Sequence, residues 1–201
     1  MKKQEIVYRE VACGYLEGRR KFTQLDLAKS LGVSLSTVNS AISGLEEINA
    51  VKVGRRSFSV IEMERLLLYW ATKRKLSNDI VYQTRVDEPA REIEASQPDD
   101  IAFTCYTAYR LLFREAPADY SEVYVYAGRD SLEEIKRRFE RRGGPPNLIV
   151  LKADPLLEYM IEGKRLKHSA VCGAQLFVDL WNLKAWYAKD FTDALSKRLG
   201  I

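Results

Sequence analysis

Ser36, Thr37, Asn39, Ser40 and Ser43 fall within eight consecutive positions that hold no lysine or arginine. On the outer faces of a helix such side chains suit one kind of chemistry. Serine and threonine hydrogen-bond phosphates or bases, and asparagine pairs with adenine through two hydrogen bonds in the major groove. Ser34, which caps this helix, extends the polar set. Cations that would hold a polyanion lie on either side: Arg19, Arg20, Lys21 and Lys29 before it, Arg55 and Arg56 after it. Residues 1–84 hold 14 Lys/Arg against 9 Asp/Glu, and residues 85–201 hold 18 against 19, so the whole excess behind the net charge of +4 lies in the first segment. That asymmetry points to an N-terminal part that meets a polyanion and a remainder that does not.

Other chemistries have less to work with. Glu122, Asp154 and Asp179 are the acids that would serve a magnesium-dependent reaction, and scattered carboxylates make a poor site for that ion. Asp179 is expected instead as a buried acceptor for Trp181 or backbone. His168, the single histidine, lies in the basic run Gly163-Lys-Arg-Leu-Lys-His-Ser169 and is expected in solvent. One histidine and three cysteines (Cys13, Cys105, Cys172) without a Cys-x-x-Cys exclude zinc fingers and histidine-dependent triads within the chain. The thiols read as reduced, in keeping with a cytoplasmic protein. Gly143-Gly144-Pro145-Pro146 lacks the Lys-Ser/Thr of a phosphate loop. Arg129, Arg137, Arg138, Arg141 and Arg142 read as a solvated helix face beside acids. No metal or cofactor is expected. No apolar run approaches the roughly 20 residues of a membrane helix, and no signal peptide is read at the N-terminus.

Local signals place the polar positions on a small scaffold. Ile6, Val7, Val11, Ala12 and Leu16 recur at helical spacing over residues 3–17. Thr23 is an N-cap with Asp26 three residues on, and Leu25, Leu27, Ala28 and Leu31 face inward. Gly32 suits a left-handed helix end. Ser34 caps a further helix whose inward face is Leu35, Val38, Ala41, Ile42 and Leu45. Val51 and Val53, then Phe58 and Val60, alternate about Gly54-Arg55-Arg56, which predicts a β-hairpin with a basic tip. The run Leu27-Ala28-x-x-Leu31-Gly32-Val33-Ser34, with Thr37-Val38 and Ile42-x-x-Leu45, strongly resembles the helix-turn-helix family. With the hairpin behind it, it resembles a winged helix. The resemblance implies that Ser36, Thr37, Asn39, Ser40 and Ser43 face the major groove, with Arg55 and Arg56 on the backbone or minor groove. Its rival is the same scaffold used for protein contacts.

A connecting helix follows, with Ile61, Leu66, Leu67, Leu68, Trp70 and Ala71 as its apolar face, and Ser77-Asn78-Asp79 marks a boundary. Strands are predicted at VYQTRV, IAFT, EVYVYA, NLIVLKA and QLFVDLWN. Helices are predicted at EPAREIEASQ, CYTAYRLLFRE, SLEEIKRRFER (capped by Ser131), 155–162 and WYAKDFTDALSKRL. Trp181, Trp186, Tyr187 and Phe191 are expected in the core. The run from Ile101 to Ala127 resembles the start of the nucleotidyltransferase fold. Thr104-Cys105-Tyr106-Thr107 replaces its Gly-Ser turn, and Tyr124 stands at the second carboxylate position after Glu122, so the resemblance implies a fold without the catalytic acids. The tail, with Gln175, Asp179, Leu180 and then Ala194 to Leu199, resembles the abortive-infection type IV antitoxins, which join a winged helix to such a domain and repress their own genes.

The expectation is therefore an α+β chain: a winged helix-turn-helix with its connecting helix over 1–76, and a mixed α/β domain over 77–201 that senses, dimerises or binds a partner. The expected function is DNA-binding transcriptional regulation, with double-stranded DNA and a second copy of the chain as partners. A toxin-like protein is the alternative partner, and an active nucleotidyltransferase is the less favoured alternative activity.

Overall fold

The computed structural model describes all 201 residues. The chain is α+β. Helix α1 (Lys3–Leu16) leads through an extended segment to α2 (Gln24–Leu31) and α3 (Leu35–Glu47). Thr23 accepts a hydrogen bond from the Asp26 N–H and Ser34 from the Thr37 N–H, so both helices begin where their caps stand. Gly32 (φ 61°) ends α2 in the left-handed region, where a side chain would be strained. Strands β1 (Val51–Val53) and β2 (Phe58–Val60) pair antiparallel, Val51 with Val60 and Val53 with Phe58. Phe22 bridges Phe58 by two backbone hydrogen bonds (2.9 and 2.8 Å), and their rings stack at 5.5 Å. The extended segment between α1 and α2 thus adds a short third strand to the hairpin.

Helix α4 (Met63–Lys73) leads by a 3-10 turn (Leu76–Asp79) into β3 (Ile80–Thr84). There follow α5 (Ala90–Ala95), β4 (Ile101–Thr104), α6 (Cys105–Phe113), β5 (Val123–Ala127), α7 (Arg129–Arg138), β6 (Leu148–Lys152) and α8 (Pro155–Glu162). A 3-10 turn (Lys167–Ser169), α9 (Gly173–Trp181) and α10 (Ala188–Leu199) complete the chain. The four longer strands form one sheet in the order β3-β6-β5-β4. Only β5 and β6, joined through α7, run parallel. No helix is long and apolar enough to cross a membrane.

Three expectations are corrected. QLFVDLWN is the buried helix α9, not a strand. It is packed by α1, α4, α6 and α10, so it is buried on nearly every side and reads as a near-continuous apolar run broken only by two polar positions. Its helical signal is the four-residue spacing of Gln175 and Asp179. Helix α7 starts two residues early, and Ser131 donates to the Asp100 carbonyl (2.7 Å) rather than capping. Cys13 and Cys172 are joined as a disulfide, not held as free thiols. Only Cys105, buried at the start of α6, is free.

A single hydrophobic core runs through both segments, from Val7 and Leu45 to Phe191 and Leu195. Buried Leu66, Leu67, Trp70 and Ala71 of α4 belong to it, whereas Ile61 and Leu68 are exposed. Phe191 and half-buried Tyr187 pack on Tyr106, but Trp181 and Trp186 are 44% and 81% exposed, not in the core.

Candidate nucleic-acid interface

Val38, Ala41, Ile42 and Leu45 of α3 are buried, which turns Ser36, Asn39, Ser40 and Ser43 outward, with Thr37 half-buried between the two faces. Burial of an apolar stripe fixes the helix's rotation and so chooses which polar positions meet solvent. At the helix start the hydroxyls of Ser36 and Thr37 lie 2.9 and 2.8 Å from the Ser34 hydroxyl. Asn39 donates weakly to Gln24 of α2 (3.3 Å), and Ser40 accepts from Gln4 of α1 (2.9 Å). These bonds hold the polar row against its neighbours and leave each residue other carbonyl, amide or hydroxyl capacity. Leu35, expected to face inward, is 51% exposed because it opens the helix, with no preceding turn to cover it.

The cations divide into two groups. Gly54 N–H donates to the Ser57 carbonyl (2.8 Å), closing the turn that presents Arg55 and Arg56. Both arginines are exposed and neither makes an ion pair, and the same holds for Lys21. Arg19 and Arg20 are exposed but engaged. Arg19 reaches Glu10 at 3.2 Å and lies over the Phe22 ring at 5.3 Å, while Arg20 lies 4.6 Å from the Tyr15 ring centroid. Gln4, Gln24 and Leu35 join this surface only through the fold. No spacing in the sequence pairs Gln24 with Asn39.

No family model, curated protein or solved structure matches the chain. Chemistry must be read from its own groups.

The acids of the nucleotidyltransferase expectation do not converge. Asp154 is the N-cap of α8, accepting from the Leu157 N–H, and is gripped by Arg9 of α1. Burial works against its charge, but the hydrogen bonds and charge of Arg9 prevail and hold it below the usual carboxylate range. Asp179 accepts from Arg74 (3.3 Å), Thr104 (2.9 Å) and Tyr126 (2.8 Å), not from Trp181. Its complete burial outweighs these partners and raises it. Arg74 also reaches Glu5 (3.3 Å) and Asp79 (2.5 Å). Glu122 accepts from the Tyr187 hydroxyl, which burial and that bond push up to about 12. No group of three His, Cys, Asp or Glu side chains is arranged to hold a metal ion. His168 is exposed, as expected.

A further buried acid, Glu94, was not singled out by sequence. It accepts from Thr107 (2.8 Å), Tyr120 (2.6 Å) and Arg110 (2.6 Å). Its bonds knit α5 to α6 and to the chain entering β5, a structural duty.

Proposed function

We propose that residues 1–76 are a winged helix that binds double-stranded DNA and that the chain is a cytoplasmic transcriptional regulator acting on its own gene region. The observation that carries the reading is a pairing of surfaces. Helix α3 carries an uncharged hydrogen-bonding row, and the hairpin whose strand β1 packs on α3 carries at its tip Arg55 and Arg56, which have no partner in the protein. Base edges ask for the first and phosphates for the second. Phe22 ties the hairpin to the segment entering α2, which keeps the two surfaces in a fixed relation. In this reading Ser36, Thr37, Asn39, Ser40 and Ser43 enter the major groove and Leu35 meets a thymine methyl. Ser34, Arg19, Arg20 and Lys21 contact phosphates. Two copies of the chain would read two half-sites.

Glu122, Asp154 and Asp179 take no catalytic part in this proposal, since each already serves a protein partner. The exposed Trp181 and Trp186 favour a second reading, in which a protein partner, toxin-like in the antitoxin analogy, covers them.

The test is a fluorescence-anisotropy titration with duplex from around the gene against a scrambled duplex, at two salt concentrations. Salt-sensitive binding that prefers the native duplex is expected. Folded, monodisperse protein that binds neither duplex would overturn the DNA reading in favour of the protein-contact one. Sedimentation at rising concentration tests the dimer.

A further inference from the structure

The α1–α9 seam joins the two halves of the chain, and three contacts mark it. Arg9 of α1 donates to Gln175 of α9 (3.3 Å). One turn on, Cys13 meets Cys172, the N-cap of α9, with Cα atoms 6.2 Å apart. Next to it, a Cβ on Gly173 would lie 3.8 Å from Leu16, ordinary packing distance, so the apolar end of α1 closes against the start of α9. The helices therefore run antiparallel, with the sulfurs between a buried polar grip and an apolar closure.

We propose that Cys13 and Cys172 are a reversible thiol–disulfide site that clamps α1 onto α9 when oxidised and releases the seam when reduced. Three observations separate this from a structural staple. The seam has a non-covalent bond of its own in Arg9–Gln175, Arg9–Asp154 ties α1 to α8 beside it, and a core spans both segments. Both cysteines are half-buried, so a small thiol or disulfide can approach them. The third cysteine, Cys105, is wholly buried, and burial pushes its thiol well up, which leaves it inert and outside any exchange. The two cysteines that are not wholly buried thus face each other.

The oxidant is a low-molecular-weight disulfide such as glutathione disulfide. One cysteine thiolate attacks it, forming a mixed disulfide and expelling one glutathione thiolate. The second cysteine thiolate attacks the protein sulfur of that mixed disulfide and expels the other. The protein gives up two protons and two electrons, and one glutathione disulfide becomes two glutathione molecules. The release of α1 matters because α1 also packs on α2, α3 and α4; the proposal itself holds whether or not those elements bind DNA.

The experiment equilibrates the full chain across glutathione buffers, then reads intact mass and amide hydrogen exchange on the same samples. Expected is a reversible two-mass-unit change within the range of cellular glutathione ratios. Exchange of α1 and α9 amides should slow by roughly tenfold or more on oxidation, read at labelling times at which β5 and β6, which open only with global unfolding, stay protected in both states. Cys13→Ser and Cys172→Ser should each abolish both responses. Because the reduced wild-type chain is its own reference, a variant that folds poorly does not spoil the comparison. A bond that stays closed at every ratio, one that never closes, or one that closes without slowing α1 and α9 overturns the proposal.

Discussion

Arg9 and Asp154, 145 residues apart, meet through two parallel hydrogen bonds of 2.7 Å each. Both side chains are nearly inaccessible to solvent. The fork of the guanidinium satisfies both carboxylate oxygens at once, which makes this pair a directional link between α1 and the start of α8. Removing one partner leaves a bare charge in the core. Arg9→Met or Asp154→Ala is expected to cost about 3–5 kcal/mol, read as a lower denaturant midpoint. Arg9→Met combined with Asp154→Leu should regain much of that loss, because the stranded charge is gone. A single substitution costing under about 1 kcal/mol would show that water reaches the pair.

The same pair sets a pH dependence. Asp154 is held below its ordinary value despite burial, so its contribution is fully present above the unfolded carboxylate value of about 3.9. It is lost as pH falls through the lower folded value. Asp179 runs the other way, because burial raises it and the folded state takes up its proton more readily. The stability gap between wild type and Asp154→Asn should therefore be flat from about pH 7 to 5 and narrow below about pH 4. Denaturant midpoints at four pH values check this; a gap unchanged down to about pH 2 would remove Arg9–Asp154 as its source.

Arg9 also shows where the sequence stops being legible. A lone arginine on an amphipathic helix reads as solvated, and nothing within several turns hints at Asp154. The α1–α3 and hairpin elements were readable because their signals are local: the Thr23 and Ser34 caps, left-handed Gly32 and the alternation about Gly54. The outward row on α3 follows from the same periodicity. Helix α9 passes for a strand because neighbours cover nearly all its sides, and an apolar run of that length reads equally as a buried strand unless the four-residue spacing of Gln175 and Asp179 is weighed. Trp181 and Trp186 look like core by composition, yet they stand at the end of α9 and in the connection to α10, beyond reach of the core. The Cys13–Cys172 contact depends on α9 being a helix, so it could not precede that assignment.

The cross-link spans 159 residues of sequence, which is most of the chain. Closing so long a loop restricts the unfolded ensemble far more than the folded one, by about 5 kcal/mol in the chain-entropy treatment. Oxidised wild type should therefore exceed reduced wild type in stability by up to that amount, while Cys105→Ser leaves the difference intact. Guanidinium titrations with and without reductant measure it. Equal midpoints in samples of verified mass would mean that the reduced unfolded chain keeps the two ends together.

Arg55 and Arg56 provide the sharpest test of the DNA reading, because they have no structural duty to confuse the result. Both are exposed and form no ion pair, so replacing both with alanine should leave the thermal midpoint within about 1 °C of wild type, as surface substitutions away from special features do. If each arginine neutralises one phosphate, the double substitution lowers the slope of log affinity against log salt by about 2, and affinity falls alike for native and scrambled duplex. Asn39→Ala should behave differently. It removes a base-reading amide, so its cost of about 1–3 kcal/mol belongs to one base position, while the salt slope stays as in wild type. Competition titrations against single-position duplex variants separate the two patterns. An unchanged slope in the arginine double variant would take the hairpin tip off the backbone. A uniform loss across all duplexes for Asn39→Ala would move α3 out of the groove and leave it as a phosphate or protein contact.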